Sequence, residues 1–302
     1  MVPFGVLTRS GVADVRALGV SEGPVRLTPA LSIVPRATLA GFDAEHPDGA
    51  DYVVVPAMHE QDSEIVAWLR KQASTGATIV GVCEGVKLLG AAGLLDGRKA
   101  TTHWHAIDAL QRTHPTMVRE HDRRYVVDRG VVTTTGVTAS LPVSLALVEA
   151  IAGPEQARRL ATELGAESYD ARHNSGAFDL TARHAVTAAQ NWLTFWGHET
   201  LGVKIDDGID EIALAFVADA FSRTYRSRVV TMATRPRIRT LGGIEIAIDR
   251  VNNDGIDDLI PPFDGEKPAI VLDNALSGIS NRYGIRSAAF VALQLEYLWR
   301  AT

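Results

Sequence analysis

The sequence predicts an α/β fold, a mainly parallel sheet with helices on both faces. Three observations predict it. Asp51–Pro56 (DYVVVP) and Thr78–Val82 (TIVGV) are short, continuous apolar runs, as in strands buried on both faces. Each is followed by a helical pattern, and strand–helix–strand alternation calls for parallel pairing. The 302 residues are 46% hydrophobic and 22% charged, a globular composition able to bury a substantial core.

Along the chain, Val12–Gly19 reads as a strand and Gly23–Val34 as a turn followed by an extended piece. After Asp51–Pro56, Asp62–Ala73 places Ile65, Val66, Trp68 and Leu69 on one side of a helix. Thr78–Val82 leads into a helix over Glu84–Leu95, ended by Gly97. Lys99–Thr102, Arg124–Val127 and Val131–Thr135 read as strands, the last two a hairpin across Asp128–Gly130. Thr138–Ile151 is an apolar helix stopped at Gly153-Pro154. In the second half, Pro154–Leu164 and Arg183–His198 are helical, and Trp192 and Trp196, spaced i,i+4, read as core. Leu201–Ile205, the Asp206-Asp207-Gly208 turn, the helix Asp210–Thr224 and the strand Arg228–Ala233 follow. Thr240–Ile248 is extended, Asn252–Pro268 reads as a loop, and Ile285–Trp299 is a final helix. The apolar residues of Thr138–Ile151 and Ile285–Trp299 are expected to pack on the sheet that carries Cys83.

A net charge of −6 argues against a nucleic-acid partner, which calls for a basic face. With no apolar run of about 18 residues, no membrane span or membrane partner is expected. Arg9 lies on the wrong side of a short apolar stretch for a secretory signal. A single cysteine fits a reducing compartment, so a cytoplasmic location is expected. One cysteine and scattered histidines make no zinc set, so no metal and no cofactor is expected; His46, His105, His114 and His121 read as surface residues.

The chemistry centres on Gly81-Val82-Cys83-Glu84-Gly85, a G-x-C-x-G turn between a buried strand and a helix. A nucleophile at so sharp a turn needs glycine two residues to either side, where a larger side chain would strike the facing chain. A helix start behind the sulfur favours thiolate, so Cys83 is expected to be accessible with a depressed pKa. Glu84 suits the first helical turn; near the sulfur it would oppose the thiolate if ionised or donate to it if protonated. His103, in Thr101-Thr102-His103-Trp104-His105 at a strand's carboxyl end, is placed to orient or deprotonate Cys83. The amides of Pro56-Ala57-Met58-His59-Glu60, in particular Ala57 and Met58, with that of Glu84, are candidate oxyanion donors. Thr135, Gly136 and Val137 open a further strand-to-helix turn with free amides and hydroxyls for a substrate.

Together these pieces resemble the ThiJ/PfpI superfamily. The resemblance runs through Asp51–Gly153: the V-x-P strand end, the G-x-C-x-G elbow, L-L-G-A-A-G-L-L-D-G, A-T-T-H-W and T-G-V-T-A-S. It is nearest to the isocyanide-hydratase-like branch and the amidotransferase-like halves of AraC-type regulators. It implies a flavodoxin-like three-layer sandwich of the class I glutamine-amidotransferase kind, with a C-terminal extension. Residues 1–153 would be the core and 154–302 a helical extension with a partial repeat of the opening unit, ending in a helix that packs on the core.

Two departures stand out. The family opens with a strand and then a helix whose acid hydrogen-bonds the cysteine; Val2–Gly11 looks like the end of that helix, so that strand and that acid are expected to be missing. Val203–Ala233 resembles the same unit, yet Ala213 takes the acid's place, with Asp210 and Glu211 just before it. Val203–Thr224 would either cover the gap in the sheet or build a small sheet of its own. Glu84 is then the only carboxylate expected near Cys83, and Glu84→Gln should move the thiol pKa more than Glu211→Gln.

The resemblance implies a cysteine-dependent hydrolase, hydratase or glyoxalase-like enzyme acting on a small electrophilic substrate, with Cys83, His103 and Glu84 as its catalytic group. The alternative is a non-catalytic redox sensor or ligand-binding regulatory protein that has lost the acid, in which case turnover is weak or absent. The ligand-sensing half of an AraC-type regulator fits less well, because Ile205–Thr302 shows no basic helix-turn-helix. A sheet lacking an edge strand suggests a homodimer.

Overall fold

The computed structural model describes residues 1–58 and 62–300. Its principal elements are α1 (Val2–Ser10), β1 (Tyr52–Val55), α2 (Ser63–Ser74), β2 (Thr78–Gly81), α3 (Val86–Ala91), β3 (Tyr125–Asp128), β4 (Val131–Thr134), α4 (Ser140–Ala152), α5 (Pro154–Leu164), α6 (Ala182–Leu193), β5 (Glu199–Lys204), α7 (Glu211–Ser222), β6 (Ser227–Met232), β7 (Asp258–Leu259), α8 (Pro268–Tyr283) and α9 (Ile285–Leu295).

The elbow sheet runs β1-β2-β4-β3. β1, β2 and β4 are parallel, with Val54 opposite Val80 and Val80 opposite Val132, while β3 returns antiparallel beside β4. Both faces are covered, which is why these strands read as continuous apolar runs. On one face Val53, Val55, Ile79 and Val131 pack against Val66 and Leu69 of α2 and Leu88 and Leu89 of α3. On the other, Val80 and Val132 share a core with Val6 of α1, Leu145 and Val148 of α4, Ile212 of α7, and Val291 and Leu295 of α9. Wholly buried side chains such as Ile79, Leu89 and Leu145 each stabilise the fold by about 2 kcal/mol. The fold is an α/β sandwich of the flavodoxin-like kind.

The C-terminal half does not extend that sheet. β5 pairs in parallel with β6 on one side and β7 on the other, a three-stranded sheet of its own. An antiparallel ribbon draws strands from both ends of the chain, Arg237–Arg239, Glu245–Ala247, Ser32–Val34 and Val25–Arg26.

Three local readings are corrected. Val12–Gly19 is not a strand; only Leu18–Gly19 pairs, because its partner Ala37–Thr38 is two residues long. Trp192 and Trp196 are not core but 66% and 77% exposed. Their i,i+4 spacing does not hold, because α6 ends at Leu193 and Thr194 leaves helical geometry. The buried positions of α6 are Thr187 and Asn191, whose amide donates to Thr224 O and Ser287 Oγ. The third is α8, a sixteen-residue helix in a stretch for which the sequence pattern predicts no element. Among the described residues no helix is long and apolar enough to cross a membrane.

Candidate active site

The chain turns sharply out of β2 through one 3-10 turn, Cys83–Gly85, before α3 begins. Cys83 has φ 55, a left-handed conformation that costs a non-glycine residue on the order of 1 kcal/mol. Hydrogen bonds over-determine it. Its N–H donates to Thr134 Oγ1 at 3.0 Å and its carbonyl accepts from Thr102 Oγ1 at 2.7 Å. Gly85 backs onto the end of β1, where any Cβ would collide with the carbonyls of Val55 and Pro56. The glycine at this position is therefore a packing requirement of the elbow.

The expectation of an accessible, acidic thiol does not hold. Cys83 is 8% exposed, and burial pushes its thiol from 9.0 up to about 12. The Glu84 N–H at the sulfur and the positive charge of Arg223 pull the other way, while Glu296 and Glu84 add to the rise. A single 3-10 turn and the six residues of α3 make too short a dipole to offset that burial.

Glu84 is half-buried and paired with Lys87. Burial pushes its carboxyl up, but the bond from Lys87 prevails and holds it below the ordinary range; Glu84 is ionised. His103 has both ring nitrogens engaged. Nε2 lies 3.0 Å from Gln294 O, which only a ring N–H can satisfy, and Nδ1 accepts the His105 N–H at 3.3 Å. Burial lowers its pKa, with Glu296 and the Gln294 carbonyl opposing. A neutral ring in this tautomer has no lone pair left for the sulfur.

Of the strand-end donors, Ala57 is exposed and Met58 packs on the opposite face of the sheet; His59 and Glu60 lie outside the described residues. In the turn after β4, Thr135 spends its N–H and its hydroxyl on Arg124 O, at 2.9 and 3.3 Å. Gly136 lies against Glu296, and half-buried Val137 accepts at its carbonyl from Ser140 Oγ. His105 and His121 are exposed, whereas His46 and His114 are half-buried.

The ceiling of the site comes from residues that no motif around the elbow marks. Arg223, at the end of α7, is paired with Asp219 at 2.7 Å. Trp104 Nε1 donates to Leu293 O at 3.0 Å, and Thr138 Oγ1 donates to Glu296 O at 2.9 Å. Glu84 is therefore not the only carboxylate at Cys83, because Glu296 acts on it as well. Glu211 is buried elsewhere, against Gly5 and Gly242. No local motif marks Glu296; it reaches the elbow only through the packing of α9.

The model of the DJ-1/PfpI family matches residues 1–150. The isonitrile hydratase of Pseudomonas putida is 30% identical over 166 residues, which cover 54% of this chain and 70% of that protein. The chain belongs to the DJ-1/PfpI family. A second relative, the HTH-type transcriptional regulator CdhR of Pseudomonas aeruginosa, is 33% identical over 123 residues, or 41% of this chain. The match covers 36% of CdhR, so the chain spans about a third of that regulator's length. The solved structure of a THiJ/PfpI family protein from Pseudomonas syringae is similar at a TM-score of 0.49 and 27% identity, covering 63% of this chain and 79% of that one.

The similarity to CdhR corrects the exclusion of nucleic acid from the partners of this DJ-1/PfpI chain. A relative named as an HTH-type transcriptional regulator stands against it. Net charge is a sum over the whole surface, and binding depends on where the charge lies.

Proposed function

We propose that this chain is a ligand-binding, regulatory member of the DJ-1/PfpI family, in which the elbow marks a small-molecule site and Cys83 is a protonated thiol at rest. One observation carries the reading: Cys83 is closed in and its thiol pushed up to about 12, beside a histidine with both ring nitrogens committed. A nucleophile of that kind has neither thiolate nor base at neutral pH. The similarity to CdhR supports the regulatory side. The coverage of that regulator leaves the partner through which a signal would pass to experiment.

A second reading, a Cys83-dependent hydratase, hydrolase or glyoxalase-like enzyme on a small electrophile, is favoured by the elbow itself. The strained Cys83 backbone is preserved, and the Glu84 N–H faces the sulfur. Assays with methylglyoxal and with a simple alkyl isonitrile, using the wild type and Cys83→Ala, separate the two. The regulatory reading expects no turnover above the Cys83→Ala background. Turnover at ordinary enzymatic rates that vanishes in Cys83→Ala would overturn it in favour of the second.

A further inference from the structure

Trp192 reads as core in the sequence but is 66% exposed, and it lines a cavity of about 330 Å³ beside the first residues of β5 and β6. A space of that size takes a ligand of one or two rings. Tyr225, from the turn before β6, gives the cavity a second exposed ring. Two large aromatic side chains on one cavity are apolar area that folding has left uncovered. Tyr225 also has φ 59, a left-handed conformation that a bulky residue adopts only where its surroundings hold it. Thr224 Oγ1 holds this turn, accepting from the Arg226 N–H at 3.0 Å and the Ser227 N–H at 2.9 Å. The Tyr225 ring is set edge-on to Phe290 of α9 at 5.4 Å. It is therefore fixed in place while still open to solvent.

Arg226 and Arg228 line the same cavity. Arg226 sits over the Tyr283 ring at 5.3 Å, and its Nη2 makes one long bond, 3.5 Å, to Gly197 O. Its Nε is buried without a hydrogen-bond partner. The exposed Arg228 side chain makes no hydrogen bond or ion pair among the described residues. Glu199, the acid among the lining residues, already accepts from Arg282 at 2.8 and 3.1 Å and from the Tyr283 hydroxyl. Guanidinium donors without a carboxylate of their own, beside uncovered rings, suit a planar anion. Because Glu199 keeps one negative charge in the cavity, a singly charged carboxylate fits better than a phosphate dianion.

We propose that this cavity binds a small aromatic carboxylate of one or two rings, its ring against Trp192 and Tyr225 and its carboxylate accepting from Arg226 and Arg228. None of the lining residues belongs to the elbow. The inference depends neither on the state of Cys83 nor on the regulatory reading.

The test is equilibrium dialysis of the full chain against 2-naphthoate, for the wild type, Arg228→Gln, Trp192→Ala and Cys83→Ala. 2-Naphthoate should bind with a Kd of about 1 mM or tighter. 2-Naphthamide keeps the rings and loses the charge, and should bind about ten-fold more weakly. The saturated decahydro-2-naphthoate keeps the charge and loses the aromatic face, and should bind roughly five-fold more weakly. Inorganic phosphate at matched ionic strength should not displace 2-naphthoate. Arg228→Gln and Trp192→Ala alter exposed side chains, so both should keep the wild-type circular dichroism and melting temperature, and each should weaken 2-naphthoate about ten-fold. Cys83→Ala should bind as the wild type does. No binding by about 10 mM overturns the proposal, as does binding that both Arg228→Gln and Trp192→Ala leave unchanged. Equal affinity for the amide, or displacement by phosphate, overturns the aromatic carboxylate as the ligand. Loss of binding in Cys83→Ala would put 2-naphthoate at the elbow and overturn the separate cavity.

Discussion

At Cys83, burial and polar contacts pull in opposite directions. The Glu84 N–H and Arg223 favour a thiolate, and burial outweighs both, taking the thiol from 9.0 to about 12. At pH 7 roughly one molecule in 10^5 then carries a thiolate. Iodoacetamide should therefore label the folded protein very slowly at pH 7, the rate climbing about ten-fold per pH unit to beyond pH 10. A rate already level by pH 9 would contradict the closed thiol. A second residue-scale test concerns Thr134, whose hydroxyl is acceptor to the Cys83 N–H. Thr134→Val should destabilise the fold by about 1–3 kcal/mol in urea titration by orphaning a buried donor; Thr134→Ser, which keeps the oxygen, should cost much less. The elbow was legible because its demands are local: two glycines and a strand before, a helix after. Glu296 was not legible, since nothing near it in sequence speaks of Cys83.

Elements were readable where one pattern ruled, as in β1, β2 and α4, all buried on more than one side. They were misread where a short partner or a break in geometry decided the outcome. Leu18–Gly19 stops where Ala37–Thr38 stops, and α6 ends between its two tryptophans. α8 went unassigned because its start, at Lys267-Pro268, continues a polar loop without a side-chain cap. Contact between elements also makes a prediction. Gly136, after β4, is pressed by the Cβ and Oε2 of Glu296 and by Leu295 O. Gly136→Ala should force the turn after α9 away, costing about 1–3 kcal/mol of stability and raising the alkylation rate of Cys83 together. A melting temperature and labelling rate equal to the wild type would show that the ceiling is not in register with β4.

The molecule as a whole joins its halves through one core that runs from α1 and α4 to α7 and α9, and that core also buries groups that ionise in alkali. Cys83 is raised to about 12, and Tyr125, Tyr283 and Tyr297 are raised as well, each by burial first. An acid whose folded pKa lies above its unfolded one favours the fold while protonated. Its contribution is complete below the unfolded value and is lost as pH rises through the folded value. For Cys83 that window runs from about 9 to about 12. Melting temperature should hold to about pH 9 and fall steadily above it, and the fall should be shallower in Cys83→Ala and Tyr297→Phe. A melting temperature flat to pH 11 would refute the account.

The elbow lies in the first third of the chain and its ceiling in the last few residues described, so a ribosome delivers them far apart in time. Until α9 docks, the sulfur has no roof and behaves as an ordinary cysteine, open to oxidants and electrophiles in its surroundings. Such long-range closure comes late in folding. A pulse of iodoacetamide during refolding should thus mark unfinished molecules and spare finished ones, turning Cys83 into a timestamp for the moment α9 closes over the elbow.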